Sequence, residues 1–205
     1  MQRTLTIGFI FALLGLLVWL VGFWEPTANL QQCEQSPPLA EPPSGGDFTL
    51  ESAQGTVNLR EFRNQVVLLY FGYTWCPDIC PTSLGLASLA LDSLTPEELA
   101  RVQSLFVSVD PERDTLQRLK EYAGYFHPKI LGLTGTPEQV ARVARQYGAA
   151  YRKVVQVSET GYVVDHSADT YLIDRQGNLV EVIPHGTPPQ ELVKLIRRYL
   201  DGSDP

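Results

Sequence analysis

The chain has 205 residues, 44% of them hydrophobic and 19% charged, and its formal net charge is -7 at pH 7. This length is enough for one compact domain together with additional segments. Acidic residues outnumber basic ones and no basic patch stands out along the sequence, which argues against nucleic acid as a partner.

The first segment is almost entirely apolar. Residues 5–24 ("LTIGFIFALLGLLVWLVGFW") have Thr6 as their polar side chain and reach the roughly 20 residues that a helix needs to cross a bilayer. Arg3 precedes the segment and Glu25 follows it. Because positive charge tends to stay in the cytoplasm, we expect residues 1–25 to be a single-pass anchor with the rest of the chain outside. A cleaved signal peptide is the alternative, but "GFWEPTANL" lacks the small residues of a cleavage site.

Residues 26–47 form a predicted linker. They are rich in Pro, Ser, Gly and Gln, which is typical of a flexible tether. Cys33 lies in this linker after "NLQQ", and not after the small residues expected before a lipidated cysteine. A solvent-exposed spare thiol is the favoured interpretation, and intermolecular pairing and lipidation stay open.

Residues 48–205 carry the alternating periodicities of a folded domain. Continuous apolar runs predict strands, and apolar stripes at three- and four-residue steps predict helices between them. Thr95, Thr136 and Thr187 each precede a proline, with Glu or Gln two residues beyond that proline, which predicts three helix starts. The order of elements predicts an α/β sandwich whose central sheet finishes antiparallel, after an added hairpin in residues 48–62. The predicted strands are residues 66–71, 104–109, 130–133, 170–173 and 179–183.

Cys76 and Cys80 lie four positions apart in "CPDIC", soon after the first predicted core strand. We expect a helix to begin near Pro81, and the N–H groups and dipole of a helix start lower the pKa of a nearby thiol. The pair therefore suits either redox chemistry or metal binding. A structural disulfide is disfavoured, because it would close a very short loop and stabilise the fold little.

A metal site needs a third donor, and two thiolates suit Cu(I) or Zn. Of the three histidines, His127 ends a predicted helix and His185 lies in a loop after the last predicted strand. His166, with Asp165 beside it in "VDHSADTY", lies in a predicted loop that enters a core strand. If that strand neighbours the strand before the cysteines, His166 faces the cysteine pair and is the best candidate for the third ligand.

The segment "DPERDT", residues 110–115, follows the second predicted core strand. We expect Asp114 to cap the helix that begins at Thr115, and Arg113 to pair locally. A role of this segment in supporting the site or in contacting a partner stays open.

Four motifs, "GYTWCPDICPTSL", "VSVDPERDT", "LGLTGTPEQV" and "VDHSADTYLID", resemble in sequence and order those of the Sco/SenC copper chaperones. The resemblance covers residues 48–200. It implies a thioredoxin-like three-layer sandwich with a central mixed sheet. It also implies that Cys76, Cys80 and His166 bind a copper ion, Cu(I) or Cu(II). Asp165 matches a family position that supports the site, and Asp78 matches the pattern between the cysteines.

The resemblance also implies a function. Family members are membrane-anchored assembly factors, so we expect this chain to deliver copper to the copper-bearing subunit of cytochrome c oxidase, and not to be a turnover enzyme. It would be a single-pass protein of the cytoplasmic (inner) membrane, with its C-terminal domain in the periplasm or extracytoplasmic space. An upstream periplasmic copper carrier would be a second partner.

Two other activities stay open. The main alternative is a thiol–disulfide oxidoreductase that reduces partner cysteines. Such proteins usually have two residues between the cysteines and a proline opposite them, whereas this chain has three residues and no proline in "DHSADTY". A peroxidase is a weaker alternative, because no threonine and arginine are evidently organised around one cysteine.

Overall fold

The structure is a computed structural model that describes residues 15–17, 19, 43–155 and 161–202. The chain divides into two compact units, Met1–Glu41 and Pro42–Pro205. The described residues of the first unit are helical. The rest of the predicted anchor, residues 1–25, and most of the predicted linker lie outside the described residues. No helix in the described part of the chain is both long enough and apolar enough to cross a membrane.

The second unit opens with a hairpin of β1 (Thr49–Ser52) and β2 (Gly55–Asn58), which confirms the hairpin predicted for residues 48–62. A short 3-10 helix, Leu59–Phe62, follows it. A β-bridge between Glu51 and Thr134 joins the hairpin to the rest of the domain.

A five-stranded mixed sheet lies at the centre of this unit. Its strands are β3 (Val66–Gly72), β4 (Val102–Ser108), β5 (Ile130–Leu133), β8 (Thr170–Ile173) and β9 (Leu179–Ile183). The spatial order is β5-β4-β3-β8-β9. The first three are mutually parallel, and β8 is antiparallel to both β3 and β9. Every residue of β3 is buried, as expected for a central strand covered on both faces.

The helices of this unit lie between strands or after the last strand. They are α1 (Ile79–Asp92), α2 (Pro96–Ala100), α3 (Leu116–Phe126), α4 (Pro137–Gln146) and α5 (Pro189–Leu200). α1 packs against α3 and α5. It begins two residues before Pro81, so this proline lies in the first turn, where a missing N–H costs no intrahelical hydrogen bond. The predicted α/β architecture is confirmed.

Most predicted element boundaries are close to the observed ones. β5, β8 and β9 match to the residue, and the capping boxes at Thr95 and Thr136 are confirmed. The helix start predicted at Thr187 is wrong. α5 begins at Pro189, and the Thr187 hydroxyl donates to the Pro184 carbonyl oxygen at 2.7 Å. The residue before a proline avoids helical dihedral angles, which keeps Pro188 outside the helix.

The cap predicted for Asp114 is also wrong. Thr115 is the N-cap residue of α3, and its side chain accepts a hydrogen bond from the N–H of Arg118 at 3.2 Å. The Asp114 carboxylate is buried and turned toward the segment before the cysteines instead.

The antiparallel pair of β6 and β7 was not predicted. β6 (Tyr151–Val155) and β7 (Tyr162–His166) pair antiparallel in a two-stranded sheet of their own. His166 therefore ends a strand, and its placement in a loop is wrong. The sequences "YRKVV" and "YVVDH" mix charged and apolar residues without a regular alternation, so they lack the period-two signal of a strand.

Candidate metal centre

The cysteine loop, residues 73–80, leads from the end of β3 into the first turn of α1. Cys76 is half-buried and Cys80 is fully buried, and both are free thiols. Gly72, the last residue of β3, makes room for the buried sulfur. A Cβ atom at this position would lie 2.6 Å from Cys80 Sγ, so any larger residue would displace the sulfur.

His166 reaches the cysteine loop from β7. Since β8 is the neighbour of β3 in the central sheet, the chain that enters β8 passes beside this loop. The Nε2 atom of His166 lies 3.3 Å from Cys80 Sγ. Both sulfurs and an imidazole nitrogen all lie within 4.8 Å of one another. The structure thus brings together the three side chains that the sequence put forward as ligands.

The imidazole is oriented for ligation through Nε2. Its Nδ1 atom lies 2.8 Å from the carbonyl oxygen of Ser167. A carbonyl oxygen can only accept a hydrogen bond, so Nδ1 carries the proton and donates it. The lone pair of the neutral ring is then on Nε2, the atom that faces Cys80. A backbone carbonyl that fixes the tautomer in this way is the usual support of a metal-binding histidine.

Two tyrosine rings also hold the imidazole in place. Tyr70 on β3 and Tyr73 on the cysteine loop pack edge-to-face against His166, with centroid distances of 6.2 and 5.7 Å. Both tyrosines are buried. The ring of His166 is therefore packed against two aromatic rings, which restrict its rotation.

Cys76 is the more acidic of the two thiols. A hydrogen bond from Cys80 contributes most, and hydrogen bonds from His166 and from the backbone N–H groups of Cys80 and Asp78 add to it. Together they outweigh burial and lower the pKa of Cys76 to about 3. Cys76 is thus a thiolate at neutral pH, as expected for a cysteine beside a helix start.

The other two groups hold protons more tightly. Burial, and then the neighbouring Cys76 thiolate, raise the pKa of Cys80. Burial opposes protonation of His166, but hydrogen bonds to Cys76 and to the Ser167 carbonyl outweigh it and raise the pKa of the imidazole. A metal ion bound here would therefore displace the proton of the Cys80 thiol.

Two sulfur donors and one nitrogen donor make a soft ligand set, suited to copper or zinc. A groove of about 420 Å³ opens beside Cys76 and His166, and Tyr73, Ile79 and Val163 form part of its walls. Three protein ligands with an adjoining groove leave one side of a bound ion accessible to an incoming ligand.

The two acidic residues proposed to support the site lie at its exposed edge. The Asp165 carboxylate pairs with Arg152 at 3.0 Å and is 55% exposed. Asp78 is the N-cap residue of α1, but its side chain makes no capping hydrogen bond. Its backbone contributes instead, since its N–H donates to the sulfur of Cys76.

The remaining histidines lie outside this group. His127 is buried as the C-cap of α3, as its position predicted, with Nδ1 accepting from the N–H of Lys129 at 3.0 Å. Its Nε2 lies 3.5 Å from an oxygen of Asp92. His185 is exposed after β9, and its Nδ1 lies 2.8 Å from the hydroxyl of Ser83 on α1. Neither residue joins the cysteine pair.

Sequence reasoning missed the roles of Gly72, Tyr70 and Tyr73. A glycine at the end of a fully buried strand, just before a cysteine motif, is a sign of close packing. This signal could have pointed to the role of Gly72. The two tyrosines carry no local signal, because their contact with His166 depends on the pairing of β3 with β8.

Residues 37–201 match the SCO1/SenC family. A mitochondrial SCO2 homolog of Bos taurus is 40% identical over 157 residues, which are 76% of this chain and 59% of that protein. The chain thus matches less than two thirds of the bovine relative. A SCO2-like protein of Rickettsia conorii is 37% identical over 155 residues, and the match covers 75% of each chain.

Solved structures share the fold. ScoI of Arabidopsis thaliana with copper bound has a TM-score of 0.71 and 37% identity, covering 77% of this chain and 98% of that one. ScoI of Bradyrhizobium japonicum with copper bound has a TM-score of 0.70 and 38% identity, covering 76% and 99%. Apo Sco1 of Thermus thermophilus has a TM-score of 0.69 and 41% identity, covering 76% and 91%. The thioredoxin-like fold with its central mixed sheet is confirmed, and the chain belongs to the SCO1/SenC family.

Proposed function

We propose that this protein binds a copper ion through Cys76, Cys80 and His166 and delivers it during assembly of the copper centre of cytochrome c oxidase. The proposal rests on two sulfur atoms and one imidazole nitrogen that all lie within 4.8 Å of one another. The copper-bound relatives from Arabidopsis thaliana and Bradyrhizobium japonicum support it. Copper is then the cargo of the protein and not a resident cofactor.

The ligand set suits a carrier that takes up copper in either oxidation state. Two thiolates are sufficient for Cu(I), and the imidazole adds a donor that Cu(II) favours. Both cysteines must be reduced before copper binds. Cys76 is already a thiolate, while the Cys80 thiol releases its proton on binding. The bond from His166 to Ser167 keeps the ring oriented throughout.

Release requires that ligands of an acceptor reach the copper ion. The groove beside Cys76 and His166 provides this access, whereas Cys80 is fully buried behind them. The acceptor's ligands can therefore approach from the groove and replace the ligands of this protein one at a time. The acceptor that we propose is the copper-bearing subunit of cytochrome c oxidase.

The proposed location follows from the sequence. Residues 1–25 would anchor the protein in the cytoplasmic membrane, residues 26–47 would be the tether, and residues 48–205 would be the copper-binding domain. The positive charge of Arg3 before the apolar run favours an N-terminus in the cytoplasm and a domain in the extracytoplasmic space. An upstream copper carrier in the same compartment would load the site.

Thiol–disulfide exchange is a second candidate function, favoured by the unequal acidity of the two cysteines. The half-buried Cys76 thiolate could attack a partner disulfide, and the buried Cys80 thiol could then release the partner by closing a Cys76–Cys80 disulfide. The two thiols would be oxidised and the two partner sulfurs reduced. Both functions would use the same pair.

Adding Cu(II) under anaerobic conditions to the reduced full-length protein tests the copper site. We expect a thiolate-to-Cu(II) charge-transfer band with one copper ion per chain, and its loss in Cys76→Ser. The full-length variant Cys33→Ser is the matched control, because it removes a cysteine of the predicted tether, and it should keep the band. A wild-type protein without the band, or a band that survives in Cys76→Ser, would overturn the proposed site.

A growth assay separates the two candidate functions. His166→Ala should bind Cu(II) far more weakly and still form the Cys76–Cys80 disulfide. If copper delivery is the function, cells that depend on cytochrome c oxidase for respiration should grow poorly with this variant. Normal growth with His166→Ala would favour thiol–disulfide exchange.

A further inference from the structure

The loop between β4 and α3 contacts both halves of the proposed copper site. This segment, residues 110–115 ("DPERDT"), is called the bracket loop below. The cysteines come from the loop after β3, and the histidine comes from the hairpin of β6 and β7. The bracket loop sends one buried carboxylate toward each of them, Asp114 toward the cysteines and Asp110 toward the hairpin.

Asp114 holds the cysteine loop. Its carboxylate is fully buried and accepts hydrogen bonds from the N–H of Thr74 at 2.9 Å and from the Thr74 hydroxyl at 2.6 Å. The hydroxyl of Ser108 donates a third at 2.6 Å. Bonds to an ionised acceptor are stronger than neutral ones. Since Thr74 precedes Cys76 by two residues, Asp114 fixes the backbone that leads to the thiolate.

Asp110 holds the hairpin. Its side chain is fully buried, and the hydroxyl of Tyr162 donates to Oδ1 at 2.7 Å. Arg113 reinforces this contact. Its Nε donates to the other oxygen of Asp110, and its Nη1 donates to the Tyr162 carbonyl oxygen at 2.9 Å. The guanidinium carbon lies 3.7 Å from the centroid of the Tyr162 ring, within the range of a cation–π contact.

These contacts matter because the hairpin has no backbone pairing with the central sheet among the described strands, and β6 and β7 pair with each other instead. Their position relative to the cysteines therefore depends on side-chain contacts. Tyr162 is the first residue of β7 and His166 is the last, so a bond at Tyr162 acts on the strand that carries the imidazole. The N–H of Val164, between them, donates to the Tyr73 hydroxyl at 3.3 Å.

We propose that Asp110 and Tyr162 are positioning residues for copper, whose hydrogen bond keeps His166 within reach of an ion held by Cys76 and Cys80. This inference rests on the proposed copper-binding function and extends it to selectivity between oxidation states. Two thiolates hold Cu(I) without the imidazole, whereas Cu(II) favours the added nitrogen donor. Loosening the hairpin should therefore weaken Cu(II) binding and spare Cu(I) binding.

Tyr162→Phe tests the inference, because it removes the hydroxyl and keeps the ring under Arg113. We expect the Cu(II) affinity of the reduced protein to fall about tenfold to 100-fold, as is typical when a group that orients a ligand is lost. The charge-transfer spectrum should shift toward that of His166→Ala. Cu(I) affinity and the rate of Cys76–Cys80 disulfide formation should stay at wild-type values. Asp110→Asn replaces one carboxylate oxygen by an NH2 donor, so the side chain can no longer accept from both Tyr162 and Arg113, and this variant should act in the same direction.

The matched control is Tyr151→Phe, which makes the same change on β6, the paired strand of the same hairpin. It should leave the Cu(II) affinity and the spectrum unchanged. Wild-type Cu(II) affinity and spectrum in Tyr162→Phe would overturn the inference. So would a parallel loss of Cu(I) affinity and dithiol reactivity, since that pattern indicates general unfolding. A wild-type protein without the charge-transfer band, or no effect of His166→Ala, would instead overturn the proposed function.

Discussion

The cysteines and the histidine reach one point from parts of the fold with very different support. Cys80 is fully buried on the first turn of α1, after a central strand whose residues are all buried. His166 ends a two-stranded hairpin that pairs with no strand of the central sheet among the described residues. Core packing and the buried Asp114 carboxylate position the cysteine half, whereas side-chain contacts of a hairpin outside the central sheet position the histidine half.

The largest effect on stability should come from removing the buried carboxylate that supports the cysteine half. Asp114→Ala leaves the Thr74 N–H, the Thr74 hydroxyl and the Ser108 hydroxyl without their acceptor. Unsatisfied buried donors and a broken buried charge network should lower the free energy of unfolding by about 3 kcal/mol. Urea denaturation of the apo domain measures this loss.

Glu112→Ala is the control for Asp114→Ala, because it lies in the same loop. Its carboxylate is 61% exposed and pairs with Lys153, so its loss should cost less than about 1 kcal/mol. Equal losses in the two variants would show that Asp114 gives the cysteine half no special support.

A smaller effect should follow from filling the space beside the buried sulfur. In Gly72→Ala the new Cβ would lie 2.6 Å from Cys80 Sγ, so the sulfur or the strand must move. Overpacking of this kind typically costs about 1–3 kcal/mol, and a displaced Cys80 should also weaken copper binding. Gly124→Ala in α3 is the control. Its new Cβ meets no atom within 4 Å, and alanine should stabilise the helix by about 0.5–1 kcal/mol. If Gly72→Ala were as stable as the wild-type protein, the close packing of Gly72 against Cys80 would be contradicted.

On the histidine half, an exposed ion pair should contribute still less to the free energy of unfolding. Arg152 pairs with Asp165 beside His166, but the two side chains are 79% and 55% exposed. Arg152→Ala should therefore lower the free energy of unfolding by less than about 1 kcal/mol, and the difference should shrink in high salt. Urea denaturation at two salt concentrations checks this. A loss as large as that in Asp114→Ala would remove the proposed difference between the two halves.

The smallest effect is expected from pH. The reactivity of Cys76 should hardly change across the neutral range. Its pKa is lowered to about 3, so the thiolate is present at every pH well above that value. Alkylation of the reduced protein should modify Cys76 first, at a rate nearly constant from about pH 5 to pH 8, since the thiolate is the reacting form. Mass spectrometry of quenched samples measures it. A rate that rises roughly tenfold per pH unit would mean an ordinary thiol pKa of about 8.5.

The central sheet and the cysteine loop could be predicted from the sequence because their signals are local. Apolar runs mark the buried strands, and capping residues such as Thr95 and Thr136 mark helix starts. "CPDIC" combines two thiols with a helix start, so the acidity of Cys76 could be anticipated. His166 could be selected because it would face the cysteine pair if the strand that it precedes neighboured the strand before the cysteines.

The histidine half was harder to predict because its contacts join distant parts of the chain. The hairpin of β6 and β7 has no buried alternating face that would produce a strand pattern. An aspartate before a helix start fits a cap as well as a buried acceptor, and for Asp114 only the folded position of Thr74, 40 residues away, decides. The bond from Tyr162 to Asp110 spans 52 residues and leaves no trace in either local sequence.

X-ray absorption at the copper edge of the reduced, Cu(II)-loaded domain tests the proposed site most directly, because it reports the donor atoms themselves. Cys76, Cys80 and His166 predict two sulfur donors and at least one imidazole nitrogen around one copper ion per chain. In His166→Ala the sulfur donors should remain and the imidazole signal should disappear. A copper ion surrounded by nitrogen and oxygen donors alone, or an imidazole signal unchanged in His166→Ala, would contradict the assignment of these three residues as the copper ligands.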